Sequence, residues 1–218
     1  MNYTFFFILL FSVTSLFSQT VTVNPIFQNS NLQLDHWYKL KSGDSISIET
    51  LSFYISGVEL LHNGKSVWKE KNSFHLIDAS KNSSFSIPSD LKYNQIKFNL
   101  GIDSVTNVSG AMGGDLDPTK GMYWTWQSGY INLKLEGKSN LCATKKNEFQ
   151  FHLGGYQHPF NSLQTIELSV KENQKIKIVL DMEKVFEQIN VSKQNHVMMP
   201  GKEAVIAAKS IAKLFSVQ

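Results

Sequence analysis

The sequence contains no arginine, so all 21 of its basic side chains are lysines. Proteins that bind nucleic acid usually depend on the forked arginine side chain, and these lysines form no extended cluster. The balance of 21 basic against 18 acidic residues leaves a net charge of only +3, which creates no strong field around the protein. We therefore predict that nucleic acid is not a partner.

Cysteine and charge are also scarce. Cys142 is the only cysteine, which excludes a disulfide within the chain, and a thiol with no second cysteine is usually inert. Charged residues make up 18% of the chain and hydrophobic residues 42%, a composition that argues against intrinsic disorder. Stability must therefore come from a buried core.

The common catalytic signatures are absent. The sequence has no G-x-S-x-G nucleophile motif, no H-E-x-x-H zinc motif, no C-x-x-C pair and no glycine-rich phosphate loop. Serine, histidine and aspartate all occur, but nothing in their spacing selects a catalytic triad. We therefore predict a protein that is not an enzyme.

An apolar run, Phe5–Phe11, lies near the start of the chain and is followed by small and polar residues over 12–19. A membrane-spanning helix needs about 20 apolar residues, so this run is too short to be one. The pattern is typical of a secretory signal peptide over residues 1–19. We predict a mature protein that begins near residue 20, has no stable membrane insertion and is periplasmic or extracellular.

Apolar and polar residues alternate through most of positions 44–181, and a period of two indicates half-buried strands. Ile96, Phe98 and Leu100, for example, share one face of their segment. The predicted strands are 44–50, 51–61, 93–100, 130–136, 163–170 and 175–181, with a turn at 171–174. Because no crossover helices separate them, we predict a mainly β fold, an antiparallel, immunoglobulin-like β-sandwich, in a single domain over 20–218.

Two segments depart from this alternation. Between Lys202 and Phe215, apolar residues recur at spacings of three and four, which predicts a C-terminal α-helix that packs on the sandwich. Gly101–Gly129 shows no clear period, and a long loop inside a compact domain is usually functional or disordered. Its aromatic end favours an ordered loop packed against the sandwich.

The aromatic end of this loop contains Trp124 and Trp126, separated by one residue. At least one of the two indoles is expected to fill the core, because tryptophan has a large apolar surface. The other is then free to face a functional site.

Histidine supplies the candidate ligands. His152 alternates with Phe151 and Leu153 at the end of a predicted strand, so it should face away from them, and loops that carry function gather at strand ends. His75 likewise alternates with its apolar neighbours. If both imidazoles faced one pocket, they could hold copper or zinc.

Two further segments resemble metal sites but have simpler interpretations. Gly113–Pro118 contains two aspartates, yet it matches no complete calcium-binding loop and is typical of a turn. His196–Met199 combines one imidazole with two thioethers, ligand types that suit Cu(I). Methionines before a helix usually fill gaps in packing, so we predict that this segment belongs to the core.

Several short motifs together resemble a known family. In chain order they are F-N-L-G-I-D (98–103), L-D-P (116–118), G-M-Y-W-T-W-Q-S-G-Y (121–130), L-E-G (135–137), F-H-L-G (151–154) and the closing Met198–Met199 before a helix. They resemble the MbnP-like copper-binding proteins, which are exported proteins associated in some bacteria with methanobactin and copper uptake. The resemblance extends over most of the mature chain.

The resemblance implies a copper ion, Cu(I) or Cu(II), held by histidine nitrogen. His152 lies in the matching F-H-L-G motif, and Trp124 and Trp126 lie in the matching aromatic block. In relatives, a tryptophan near the metal is oxidised to kynurenine by a di-haem cytochrome c peroxidase-like partner. Which tryptophan would be modified here stays open.

The second ligand also stays open, because the close W-x-H pairing of some relatives is absent from this chain. His75 is the first choice, followed by His158 and His36. The leading hypothesis is therefore a non-enzymatic copper-binding protein. The alternative is a β-sandwich interaction module that binds a protein or carbohydrate partner through its aromatic loop without metal. A hydrolytic enzyme ranks third.

Overall fold

The computed structural model describes residues 18–171 and 174–218. The predicted signal peptide lies outside these residues except for Ser18 and Gln19, and so do the two central residues of the predicted turn at 171–174. Within the described ranges, no helix has the length and apolar character needed to cross a bilayer.

Strands make up most of the regular structure, as the alternation predicts. In chain order they are β1 (Ser18–Phe27), β2 (Ser30–Asn31), β3 (Trp37–Lys39), β4 (Ser45–His62), β5 (Lys65–Lys69), β6 (Phe74–Asp78), β7 (Ser83–Pro88), β8 (Gln95–Leu100), β9 (Tyr123–Trp124), β10 (Gly129–Ser139), β11 (Glu148–Gly154), β12 (Gln164–Ser169), β13 (Ile176–Asp181), β14 (His196–Val197) and β15 (Phe215–Val217). The prediction of separate strands at 44–50 and 51–61 is wrong. Both belong to β4, because no glycine or proline interrupts the chain between them.

The helices are short and lie between or after strands. They are α1 (Ser104–Val108), α2 (Met182–Gln188) and α3 (Lys202–Ala212). The sequence did not predict α2, which begins where the Asp181 carboxylate accepts the backbone N–H of Lys184. The predicted C-terminal helix is confirmed in α3, but it ends at Ala212, and Phe215 already belongs to β15.

The strands form two sheets. The first has the order β15–β13–β1–β2, with β7 also paired to β1. The second has the order β12–β8–β4–β10–β11–β14, and β3, β5 and β6 also pair with β4. Most strand pairs are antiparallel, as predicted, but β1 pairs with β13 and β11 with β14 in parallel. In each of these pairs the two strands are not neighbours in the sequence. A local sequence pattern therefore cannot show whether they run parallel or antiparallel.

The main core lies between the two sheets. Alternate residues of β10, β11 and β4 point into it, and α3 adds its buried alanines and Ile211. On the second sheet, the core-facing residues include Leu51, Phe53, Leu133, Leu135, Phe151 and Leu153. The mainly β fold with a C-terminal helix that the sequence predicts is therefore confirmed.

The other face of the second sheet is also partly covered. The long segment after β8 packs over it through a separate cluster of buried residues, namely Tyr54, Ile102, Leu116, Met122, Trp124, Tyr130 and Ile131. This segment contains α1 and two short 3-10 turns, Gly114–Leu116 and Pro118–Lys120. The loop is therefore ordered and packed, as its aromatic content predicts. We call the face that it covers the outer face of the second sheet.

A buried amide fixes the start of this loop. The strands β8 and β10 both pair with β4, and their ends meet near Tyr54. There, Asn132 Oδ1 accepts the N–H of Ile102 at 2.9 Å, and its Nδ2 donates to Ser162 Oγ at 2.9 Å. Because buried amide groups are costly to leave unpaired, this network holds the loop in one position on the sheet.

Asp115 ties the same loop to the edge strand β6. Its Oδ2 accepts the N–H of Leu76 at 3.0 Å, and its Oδ1 accepts from Lys120 Nζ at 2.6 Å. Partial burial acts to raise the pKa of this carboxyl group, but the bonds from Lys120 and Leu76 outweigh it and leave the pKa below its ordinary value. The carboxylate is therefore the favoured form in the folded protein.

We expect stability to depend on pH through this group. A carboxyl group whose pKa is lowered by folding stabilises the protein above its unfolded pKa of about 4, and this contribution is lost as the pH falls through the folded pKa. Asp115→Asn should therefore lower Tm at neutral pH, and its difference from the wild type should shrink toward about pH 3. Calorimetry at both pH values measures this, with the exposed Asp90→Asn as the control. A Tm difference that is independent of pH contradicts the assignment.

Candidate metal site

His152 lies on β11, where its neighbours Phe151 and Leu153 point into the main core. Because successive residues of a strand point to opposite faces, the imidazole lies on the outer face of the second sheet, as the sequence predicts. Its exposed fraction is only 7%. A nearly buried imidazole outside the main core requires a polar partner, because burying an unpaired polar group is costly.

Glu136 on β10 is that partner. Its Oε1 lies 2.7 Å from His152 Nε2. Burial acts to raise the pKa of Glu136, but the hydrogen bond from His152 and the charge of Lys134 leave it below its ordinary value. The side chain is therefore an ionised carboxylate at neutral pH, which can only accept hydrogen bonds. It follows that Nε2 carries the proton.

The remaining nitrogen of His152 is then free to bind a metal. Burial lowers the pKa of the imidazole, the hydrogen bond to Glu136 opposes this, and the net shift is downward. The ring is therefore neutral at neutral pH, and Nδ1 carries a lone pair. A carboxylate that holds one ring nitrogen while the other faces a metal is the usual arrangement of metal-binding histidines. Sequence analysis missed Glu136, because its partnership depends on the register of β10 against β11.

Trp124 lies on the same face of β11 as His152. A Cβ atom added to Gly154 would be 2.5 Å from Cζ3 of the Trp124 ring, so the indole lies directly on this glycine. Gly154 is two residues beyond His152 and therefore points to the same side of the strand. An imidazole and an indole thus share the outer face, separated along β11 by about 7 Å of strand.

The two tryptophans have different surroundings. Trp124 is 6% exposed and belongs to the cluster beneath the loop, whereas Trp126 is 62% exposed. Their ring centroids are 5.7 Å apart. The expectation that at least one of the two indoles fills the core is therefore confirmed for Trp124.

His75 does not share a pocket with His152. It pairs with Ile55 of β4, whose side chain lies in the main core, and its ring stacks on Phe85 of the first sheet with centroids 4.5 Å apart. His152 pairs with Lys134 of β10, which in turn pairs with Ser52 of β4, and these positions point to the outer face. The hypothesis that His75 and His152 hold one ion is therefore corrected, because the second sheet lies between them.

His75 instead forms a separate polar pair. Its Nε2 lies 2.7 Å from Glu70 Oε2, which also accepts from Ser73 Oγ at 2.5 Å. Burial acts to raise the pKa of Glu70, but the hydrogen bonds that its carboxylate accepts from His75 and Ser73 leave this pKa lowered. This arrangement satisfies a half-buried imidazole at the edge of the sandwich.

The histidine beside His152 is one that sequence reasoning assigned to packing. His196 on β14 pairs in parallel with Gln150, so it lies on the outer face diagonally across from His152. Diagonal neighbours on adjacent strands are about 7–8 Å apart, within reach of long side chains. His196 is also close enough for its charge to lower the pKa of His152. No sequence signal reveals this proximity, since the two segments are distant in the chain.

The other candidates lie elsewhere. His158 and His36 are exposed loop residues, and His36 packs edge-on against Tyr38 with centroids 4.8 Å apart. The loop 113–118 forms turns, as predicted. Cys142 is buried, 2% exposed, which accords with an inert thiol.

The donors on the outer face fit a soft metal better than a hard one. Among the described residues, no group of three or more histidine, cysteine, aspartate or glutamate side chains is placed to hold an ion. A low-coordinate ion held by imidazole, with softer donors beside it, is compatible with His152 and His196.

The fold and this cluster define a class: a mainly β protein in which a buried, neutral imidazole and a pair of tryptophans share one face of a sheet. The chain belongs to the MbnP family, whose model matches residues 17–199.

A solved structure supports the fold. MbnP from Methylosinus trichosporium has a TM-score of 0.56 to this chain and 14% sequence identity, and the alignment covers 80% of this chain and 79% of that one. At this identity the likeness concerns the fold alone. No curated protein matches the chain.

Proposed function

We propose that this protein binds a copper ion outside the cytoplasm, without catalysing a reaction on a substrate. His152 supplies Nδ1 as a ligand, and His196 replaces His75 as the nearest second imidazole. The observation that carries the proposal is the hydrogen bond of 2.7 Å between His152 Nε2 and Glu136, which leaves the other ring nitrogen available. Membership of the MbnP family supports copper as the ion.

The tryptophan pair suggests how the site is completed. We propose that Trp124 of β9, whose indole packs on Gly154 of β11, is oxidised to kynurenine by a di-haem peroxidase-like partner. Two molecules of hydrogen peroxide supply two oxygen atoms to the indole and leave as water, and hydrolysis then removes one carbon as formate. The product has an aniline nitrogen and a ketone. An apolar ring thereby becomes a potential nitrogen donor next to His152.

Copper titration tests the function. The exported protein is produced together with the proposed peroxidase-like partner and is then purified. It is titrated with Cu(I) against a competing chelator. We expect one site per chain tighter than micromolar, which corresponds to more than about 8 kcal/mol of binding free energy. The same sample should show a mass increase of about 4 Da for conversion of one tryptophan to kynurenine. Absence of a site in this range rejects the copper proposal.

The interaction-module alternative stays a prediction. The exposure of Trp126, at 62%, is the observation that favours it, because a large aromatic side chain in solvent often contributes to an interface. A docking role for Trp126 is compatible with copper binding at His152, since the two side chains have different exposure.

A further inference from the structure

A cavity of about 360 Å³ lies at one edge of the sandwich, bordered by β6 of the second sheet and β7 of the first. The turn that joins these two strands forms one wall, and the loop around Asp115 and Lys120 forms another. The volume is typical of small-molecule sites. The cavity is separate from the candidate metal site, because Asp78 in its wall and His152 lie three strand spacings apart across β6, β4, β10 and β11, or about 14 Å.

The walls of the cavity are fixed by hydrogen bonds within the protein. Asp78 Oδ1 accepts the backbone N–H of Ser80 at 3.0 Å and its hydroxyl at 2.7 Å, and the N–H of Asp78 donates to Ser83 Oγ at 3.2 Å. These bonds close the turn between β6 and β7. On the other wall, the bond from Leu76 to Asp115 holds the loop against β6. The cavity is therefore formed before a ligand arrives, which lowers the cost of ordering on binding.

The charges at the cavity are already paired. Lys81 Nζ lies 3.0 Å from Asp78 Oδ2, and Lys120 Nζ lies 2.6 Å from Asp115 Oδ1. The two ammonium groups and the two carboxylates therefore cancel in charge. A charged ligand would have to compete with one of these ion pairs and would also lose its own hydration, which is costly. The cavity therefore favours a neutral ligand.

The same groups keep hydrogen-bonding capacity for a ligand. An ammonium group has three N–H donors and a carboxylate about four lone-pair sites, so each ion pair leaves donors on the lysine and acceptors on the aspartate. The hydroxyl groups of Ser52 and Ser84, which also line the cavity, can both donate and accept. Leu76 adds an apolar residue to the lining. This mixture matches a ligand whose own polar groups both donate and accept around an apolar ring.

We propose that this cavity binds one neutral sugar ring, either as a free monosaccharide or as the end of a glycan. Ring hydroxyl groups would accept from Lys81 and Lys120 and donate to Asp78 and Asp115, while the C–H face of the ring would lie against Leu76. The inference goes beyond copper binding and does not depend on it, because the cavity shares no residue with the cluster around His152.

Titration of the metal-free protein with neutral glycosides tests the proposal. The probes are the methyl glycosides of glucose, galactose, mannose and N-acetylglucosamine, followed by saturation-transfer NMR. We expect at least one of them to bind with a Kd of about 1 mM or lower, which a ligand of this size can reach. A disaccharide that ends in the same sugar then identifies the source. Tighter binding of the disaccharide indicates a glycan end, and weaker binding indicates a free monosaccharide.

A substitution that fills the cavity locates the site. Ser84→Trp places a large side chain in the cavity and should weaken glycoside binding at least about tenfold, because most of a ligand's surface is buried in such a site. Ser86→Trp is the matched control. Ser86 lies two residues further along β7 and is also exposed, but it does not line the cavity. This control should bind the glycoside as the wild type does.

Lys81→Met tests the polar contacts. Methionine removes the ammonium donors from an exposed position and should weaken binding about tenfold, the effect of losing one hydrogen bond from a charged group. Lys146→Met is the control, because Lys146 forms a similarly exposed ion pair with Glu148 outside the cavity. Thermal unfolding shows that each variant is folded.

Two results would overturn the sugar site: none of the glycosides binds, or the Ser84 and Lys81 variants bind them as well as their controls do. Binding of glycine or inorganic phosphate in place of the glycosides, with loss in Ser84→Trp, would show that the cavity accepts ions and would overturn it as well. The protein is free of copper throughout, so a failure of the copper proposal leaves these measurements unchanged.

Discussion

His152→Ala is expected to weaken Cu(I) binding at the buried site at least about a hundredfold, because loss of an outer-shell partner alone typically costs 10–100-fold and this change removes a ligand. The surrounding structure should persist, since the imidazole lies on the outer face and makes no contribution to the main core. Competition with a Cu(I) chelator measures the affinity, and thermal unfolding shows that the variant is folded.

Glu136→Gln provides a graded comparison. The amide oxygen can still accept from His152 Nε2, but it lacks the charge that makes the imidazole a better donor to copper. We expect a loss of about tenfold, at the lower end of the range for such partners. His36→Ala, at an exposed loop histidine, should leave the affinity unchanged. Equal losses in the Glu136 and His36 variants would contradict the role of the carboxylate.

Gly101→Ala is expected to cause the largest loss of stability, about 3–5 kcal/mol. The backbone at Gly101 has φ +108°, a conformation that residues with a side chain rarely adopt. A Cβ there would also lie 2.3 Å from Cγ of Asn132, whose amide holds the N–H of Ile102 and the hydroxyl of Ser162. The substitution therefore strains the backbone and disrupts a buried network at the same point.

Urea unfolding measures this effect. Gly113→Ala in the same loop is the matched control, because its backbone has φ −93° and no atom lies within 4 Å of an added Cβ. Its free energy of unfolding should stay within about 0.5 kcal/mol of the wild type. If both alanine variants unfold at the same urea concentration, the Asn132 network does not hold the loop.

The alternation of apolar and polar residues predicted which residues of a strand share a face. It did not predict which face of the sheet points into the main core. His152 and His75 both alternate with apolar neighbours, and both face away from them in the structure. For His152 the neighbours point into the main core, whereas for His75 the adjacent Leu76 packs toward the loop cluster instead. A sheet with apolar residues on both faces cannot be oriented from its period, so the same rule placed one histidine correctly and the other on the wrong side.

Which residues surround His152 depends on how the strands pair, and no local sequence pattern shows this. Glu136 reaches His152 through the register of β10 and β11, and His196 reaches it through a parallel edge strand. The short motif around His152 identified one candidate ligand, while its neighbours Glu136 and His196 come from segments before and long after it. The sequence predicted that one of the two tryptophans fills the core, but the contact of Trp124 with Gly154 requires the folded loop.

The pairing of β1 with β13 has a consequence for the order of folding. Val21 lies against Ile176 and Ile26 against Asp181, so the opening strand of the described chain finds its parallel neighbour only after most of the polypeptide has been made. Contacts between such distant segments form slowly, because a long loop must close before they are gained. A shorter nascent chain can pair β1 with β7 but lacks the parallel partner β13. The first sheet is therefore complete only when nearly the whole polypeptide is available.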